Sequence, residues 1–258
     1  MNNILIKVEN LVKTFGGLVA LNNCSLEIKD KAITGIIGPN GSGKTTLFNV
    51  ITGNLKPDTG KVFYNGVEIT NEESHDLFHL GVLRTFQIAH EFSNMTVIEN
   101  LMVVPGNQKG EKLLYSLMNS HQIKKEDEII KDKAMEVLKF LKIEHLKNER
   151  AGNLSGGQKK LLELARTMMV DAKIVFLDEV GAGVNKTLLK DISDSIFKLN
   201  QDKGYTFCMI EHDFNFISEL CDPVIVLAEG SVLFKGSAEE VKSNEKVIES
   251  YLGKGIKK

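Results

Sequence analysis

Apolar residues along this chain recur in two different periods. Ile4 to Val8 alternates as a strand. Val12 to Phe15 leads into a Gly16-Gly17 turn, and Leu18 to Leu21 and Ser25 to Ile28 resume as strands. Ala32 to Ile37 is a mostly apolar run, as in a strand buried on both faces. Lys61 to Ile69 alternates around Asn65-Gly66, a strong hairpin signal. Ser74 to Leu80 reads as a short helix and Gly81 to Gln87 as a buried strand with a polar end. From Ile88 to about Lys160 the period becomes helical. Ile129, Ile130, Ala134, Val137, Leu138 and Leu141 form an apolar stripe with charges opposite. Strands return at Lys173 to Leu177, Thr206 to Ile210, Val224 to Leu227 and Ser231 to Phe234, with a helix at Asn185 to Leu199 and a helical tail from Ser237. The pattern predicts an α/β protein with an antiparallel β part at the N-terminus, a mixed central sheet and an inserted helical block. The expected divisions are residues 1–87, 88–160 and 161–258.

Composition narrows the class. The 258 residues are 42% hydrophobic and 26% charged, ordinary for a globular protein. A formal net charge of −2 argues against a general nucleic-acid-binding surface. No apolar run approaches the roughly 18 residues of a membrane span, and the first residues lack a signal-peptide core. Cys24, Cys208 and Cys221 are odd in number and far apart, which points to free thiols in a reducing, cytoplasmic setting.

The chemistry concentrates at the ends of the buried strands. Gly38-Pro39-Asn40-Gly41-Ser42-Gly43-Lys44-Thr45-Thr46 lies between the strand at Ala32 to Ile37 and a helix opening at Leu47. Strand, glycine-rich turn, Lys-Thr and helix is the context of a phosphate-binding P-loop. Its glycines let backbone N–H groups curl around an anion, and the helix N-terminus adds its dipole. Lys44 can reach the β/γ-phosphates, and Thr45 offers a hydroxyl to Mg²⁺. The fold expected is a P-loop NTPase core.

A second anion site is built similarly. Ser155 is a plausible N-cap, Gly156-Gly157 bare the backbone, and Lys159 to Arg166 continues as an amphipathic helix after Gln158. The strand at Lys173 to Leu177 delivers Asp178 and Glu179 at its carboxyl end, where open α/β sheets bind ligands. Asp178 can hold Mg²⁺, and Glu179 can orient or deprotonate an attacking water. His212 ends the next strand and can reach the γ-phosphate. Phe15, near the open end of the N-terminal sheet, either stacks on adenine or packs in the core. His75 and His79 stand one helical turn apart, but no third ligand accompanies them.

In this order, Gly38 to Thr46, Gln87, Leu154 to Gln158, Ile174 to Glu179 and His212 resemble an ABC transporter nucleotide-binding subunit. Phe15-Gly16-Gly17-Leu18, Arg84-Thr85-Phe86-Gln87, Glu211-His212-Asp213 and Val247 to Gly253 resemble the ATP-binding subunits of branched-chain amino acid importers, with urea importers sharing several of them. The resemblance implies ATP and Mg²⁺ as cofactors and ATP hydrolysis as the activity. Phe15 would stack on adenine. The P-loop would hold the phosphates, with Thr45, Gln87 and Asp178 at Mg²⁺. Glu179 would be the base, His212 the γ-phosphate sensor, and Gln87 a catalytic sensor coupled to the membrane subunit. Ser155, Gly156, Gly157 and Gln158 of a second ATP-binding subunit, self or paralogue, would cover the nucleotide in a head-to-tail dimer. Membrane-embedded permease subunits would place the chain on the inner face of the cell membrane. Their cytoplasmic helix would dock against the Ile88 to Asn107 region, with Phe92, Met95 and Val97 as anchors.

Two positions depart from the family pattern. Val180 stands where proline is common, and Asn185 where aspartate is usual. Asn185 keeps a hydrogen-bonding side chain without the charge. Rival readings are a lipid or lipopolysaccharide exporter ATPase, a soluble ABC ATPase on ribosomes or DNA, and a P-loop small-molecule kinase. The second usually carries two ATPase units or a long coiled-coil insertion. The third would not need Leu154 to Gln158.

Overall fold

The computed structural model describes residues 3–85, 91–106, 108–111 and 120–252. The expected sensor Gln87 lies outside these residues. The chain divides into two compact units: Met1–Arg84, Lys173–Ala182 and Ile196–Lys258 form one, and Thr85–Ala172 with Gly183–Ser195 the other.

The first unit holds two sheets. The N-terminal sheet is antiparallel, in the order β2-β1-β4-β5, with β1 Ile4–Phe15, β2 Leu18–Lys29, β4 Thr59–Tyr64 and β5 Val67–Glu68. The pieces expected as separate short strands are continuous here. Register shifts along the β1–β2 ladder absorb the breaks in alternation, and Asn10 and Asn23 adopt positive φ beside them. Asn65 and Gly66 both have positive φ, as the hairpin signal requires.

The second sheet is six-stranded and mixed, in the order β10-β9-β3-β8-β7-β6. It contains β3 Ile33–Ile37, β6 Val82–Arg84, β7 Ile174–Asp178, β8 Thr206–Ile210, β9 Val224–Ala228 and β10 Ser231–Gly236. Only β10 pairs antiparallel; the others run parallel. Every residue of β3, β7 and β8 is buried, which is why these segments read as apolar runs rather than alternations. Helix α1, Lys44–Ile51, packs on this sheet, and Phe48 meets Phe176 edge to face with ring centroids 5.0 Å apart. Emptying such a site by Phe→Ala typically costs about 3–5 kcal/mol. Parallel β3, β7 and β8 carry their carboxyl ends to one edge of the sheet, and the site grows there.

Helix α2, Ser74–His79, closes a turn of this unit. Its His75 and His79 rings stack edge to face at 4.7 Å. Among the described residues, no group of three His, Cys, Asp or Glu is arranged to hold a metal ion. The three cysteines are free and buried. Burial holds the Cys24 thiol up at about 11 and pushes the Cys208 and Cys221 thiols well above their usual range.

The second unit is helical. It contains α3 Val97–Met102, α4 Ser120–Phe140, α5 Gly156–Met168 and the start of α6, Lys186–Lys203. Ala134, Val137, Leu138 and Leu141 of the expected stripe are buried, whereas Ile129 is exposed. Thr96 caps α3 in a reciprocal box with Glu99, and Val97 is turned fully inside. Val97 is therefore excluded as a docking anchor. Phe92 and Met95, 49% and 36% exposed, remain on the surface, and Arg166 lies over the Phe92 ring at 5.4 Å.

Candidate nucleotide site

An open cleft of about 310 Å³ forms at the end of β3. It is lined by Phe15, Leu18, Ala20, Asn40, the run Gly41 to Thr46, Glu179 and His212. The loop's glycines are required by space as well as by φ. A Cβ on Gly38, at φ 154°, would lie 2.1 Å from the Leu227 carbonyl oxygen. One on Gly43, at φ 98°, would lie 2.4 Å from the Ala20 oxygen. Gly43 is the N-cap of α1 and no side chain caps that terminus, so its first N–H groups face the loop.

The Lys44 side chain is buried within the loop. Its Nζ donates to the carbonyls of Gly38 and Pro39 at 2.8 and 3.0 Å. Burial lowers its pKa, while the nearby Glu179 and Asp178 carboxylates pull it back up. The pattern left Phe15 open between adenine platform and core residue. The structure excludes the core: the ring is 49% exposed and lines the cleft.

Asp178 ends β7, 2% exposed, and Glu179 follows at φ 51°, a left-handed conformation costly outside glycine. The Glu179 N–H donates to Ile210 O at 3.0 Å, which ties the turn to β8. Glu179 Oε1 then meets His212 Nε2 at 2.9 Å. Two residues that the sequence placed in family-like stretches without a role take part in the site. Arg84, from β6, donates through Nη2 to Asp178 Oδ2 at 2.8 Å and through Nη1 to Asn49 of α1, with its guanidinium over the Phe48 ring. Glu211 is 5% exposed and accepts from the Gly181 N–H at 2.8 Å, so it holds the turn that carries Glu179. Burial raises the Glu211 pKa, opposed by that backbone bond and one from His212. Both lie in stretches that resemble the family, but their partners are remote in sequence, so the sequence alone assigns them no role.

The donor set suits Mg²⁺. The Thr45 hydroxyl and the Asp178 carboxylate are hard oxygen ligands, and Arg84 holds that carboxylate in place through Oδ2.

Ser155 to Gln158 belong to the helical unit. Ser155 caps α5 as expected: its Oγ accepts from the Gln158 N–H, and Gln158 Oε1 accepts from the Ser155 N–H at 2.9 Å. Ser155 and Gly156 are exposed, and open space surrounds the α-carbon of Gly156. Gly157 is glycine for packing, since a Cβ there would lie 2.2 Å from Leu188 Cδ2. Asn185 opens α6 and its Oδ1 accepts from the Leu188 N–H at 2.9 Å, so the departure from aspartate keeps a helix cap.

The ABC transporter family model matches residues 21–182, and that described as "Branched-chain amino acid ATP-binding cassette transporter" matches 231–257. The chain belongs to the ABC transporter family and is an ATPase of that type. It is 43% identical over 249 residues to the "Probable branched-chain amino acid transport ATP-binding protein LivG" of Archaeoglobus fulgidus, covering 96% of this chain and 95% of that one. The ADP conformation of an ATP-binding cassette of an ABC transporter superposes with a TM-score of 0.82 at 40% identity, over 97% of this chain and 99% of that chain. A dimeric post-hydrolysis ATP-binding cassette bound to ADP and Pi superposes with a TM-score of 0.74 at 25% identity, over 91% and 99%.

Proposed function

We propose that this chain is the ATP-hydrolysing subunit of an importer for branched-chain amino acids. One observation carries the hydrolytic part: the Glu179–His212 pair, 2.9 Å apart, lines the same cleft as the Lys44 loop. ATP places its phosphates on the N–H groups from Asn40 to Thr46, and Lys44 leaves the loop carbonyls for them. Thr45 and Asp178, with Gln87 as a third group, would hold Mg²⁺, which when bound would neutralise charge developing on the phosphates. Glu179 takes a proton from the attacking water, and His212 orients its carboxylate and meets the γ-phosphate. Phe15 stacks on adenine.

Ser155, Gly156, Gly157 and Gln158 of a second ATP-binding subunit cover this nucleotide, and closure of the pair drives the membrane-embedded partners. Among the described residues no helix is long and apolar enough to cross a membrane, so transport needs those partners. The apolar ring of Phe92 and the side chain of Met95 offer them a docking point. The substrate reading is supported by the full-length likeness to LivG and by the match over 231–257.

The test is uptake of labelled leucine and labelled urea in cells with the gene deleted and restored. Restored leucine uptake is expected. A response to urea alone would keep the importer and change its substrate. No response to either would favour the exporter reading.

A further inference from the structure

Asp58 immediately precedes β4 and belongs to none of the stretches that bind phosphate. Yet its carboxylate gathers three donors from the end of β1. Oδ1 accepts from Lys13 Nζ at 2.8 Å, and Oδ2 accepts from both the Thr14 N–H and the Thr14 hydroxyl at 2.7 Å each. The Asp58 N–H donates to the Val12 carbonyl at 2.8 Å. These bonds hold the three residues that precede Phe15. Lys13 Nζ, fixed by Asp58, also lies over the Phe15 ring, 5.8 Å from its centroid. Phe15 itself makes little burial of its own and is followed by the Gly16-Gly17 turn, where a Cβ would meet nothing within 4 Å on either glycine.

We infer that Asp58 is a positioning residue for the base of the nucleotide: it clamps Lys13 and Thr14 so that Phe15 presents a fixed face to adenine. The inference rests on the stacking role given to Phe15 above. A stacking surface contributes most when its orientation is set before the ligand arrives, because ordering it then costs nothing on binding. The clamp touches no phosphate ligand, so it acts on the base end alone.

The experiment compares binding of ATP and of inorganic tripolyphosphate by calorimetry, in the intact protein and in Phe15→Ala, Asp58→Ala and Asp58→Asn. Tripolyphosphate engages the loop without a base. Phe15→Ala should weaken ATP roughly 5- to 150-fold, the range for loss of one base–aromatic stack. Asp58→Ala should lose part of that factor, about 3- to 10-fold, with tripolyphosphate unchanged. Asp58→Asn keeps an acceptor for Thr14 but not the charge for Lys13, and should fall between. Asp58 is a surface residue, and a melting curve for each variant confirms a folded sample. Equal losses for both ligands, or none for either, in Asp58→Ala would overturn the inference while a selective Phe15→Ala left the stacking role standing. If Phe15→Ala spares ATP, the stacking role fails and the inference falls with it.

Discussion

Arg84 and Asp178 form an ion pair at 2.8 Å in which the side chains are only 8% and 3% exposed. The same guanidinium reaches Asn49, so one side chain joins β6, the carboxyl end of β7 and the P-loop helix. Removing one partner of such a pair strands the other charge in a poor solvent. Arg84→Met should therefore cost roughly 3–5 kcal/mol in urea unfolding. Asp178→Asn introduced alongside should recover most of it. A single variant as stable as the wild type would show that the pair is not buried in solution.

Glu179→Gln should retain ATP binding and lower turnover roughly 10²–10⁴-fold, the usual contribution of a placed general base. The variant should accumulate as an ATP-bound dimer in size-exclusion chromatography. Turnover at the wild-type rate would remove Glu179 from the mechanism.

Lys44→Ala removes a cation whose present partners are oxygens of its own loop, the Gly38 and Pro39 carbonyls and the Ser42 hydroxyl. A hydrogen bond to a charged group contributes about 1.5–3 kcal/mol, so ATP affinity should drop about 10- to 100-fold by calorimetry. Unchanged affinity would mean that the loop holds its ligand through backbone N–H groups alone.

Glu211 makes stability depend on pH in an unusual direction. Its folded pKa lies above the ordinary carboxylate value of 4.5, with burial the main cause. Below that value both states are protonated. As pH rises past it, the unfolded chain ionises first, so the unfolded state is favoured until Glu211 ionises in the folded state as well. The Glu211 contribution to stability should thus fall as pH climbs from 4.5 through the raised value. Glu211→Gln keeps the acceptor for Gly181 and should flatten that part of the profile. Urea midpoints at several pH values across this window measure it, and parallel profiles would refute the assignment.

The sequence made the strand ends readable because their chemistry is local. Gly38 to Thr46 needs only its own glycines and the helix that follows, and Ser155 finds its partner three residues on at Gln158. Contacts across long stretches left no such trace. Arg84 meets Asp178 at a separation of 94 residues, Thr14 meets Asp58 at 44, and Gly181 meets Glu211 at 30. Periodicity also misjudged single faces. Val97 looked available for docking until its capped helix turned it inward, and Ile129 fits the apolar stripe of α4 yet faces out. Phe15 could not be decided from pattern, because its exposure follows from which strand lies beside β1 and where the glycine turn begins.

The buried cysteines bear on how this protein can be followed in motion. With Cys24, Cys208 and Cys221 enclosed and their thiols held protonated at neutral pH, maleimide and methanethiosulfonate reagents meet no thiolate on the folded surface. A reporter cysteine placed at an exposed position, such as Val67 on the outer hairpin, should take a spin label or fluorophore alone. Distances across the proposed ATPase pair can then be read on the native background, without first rebuilding the core to remove sulfur.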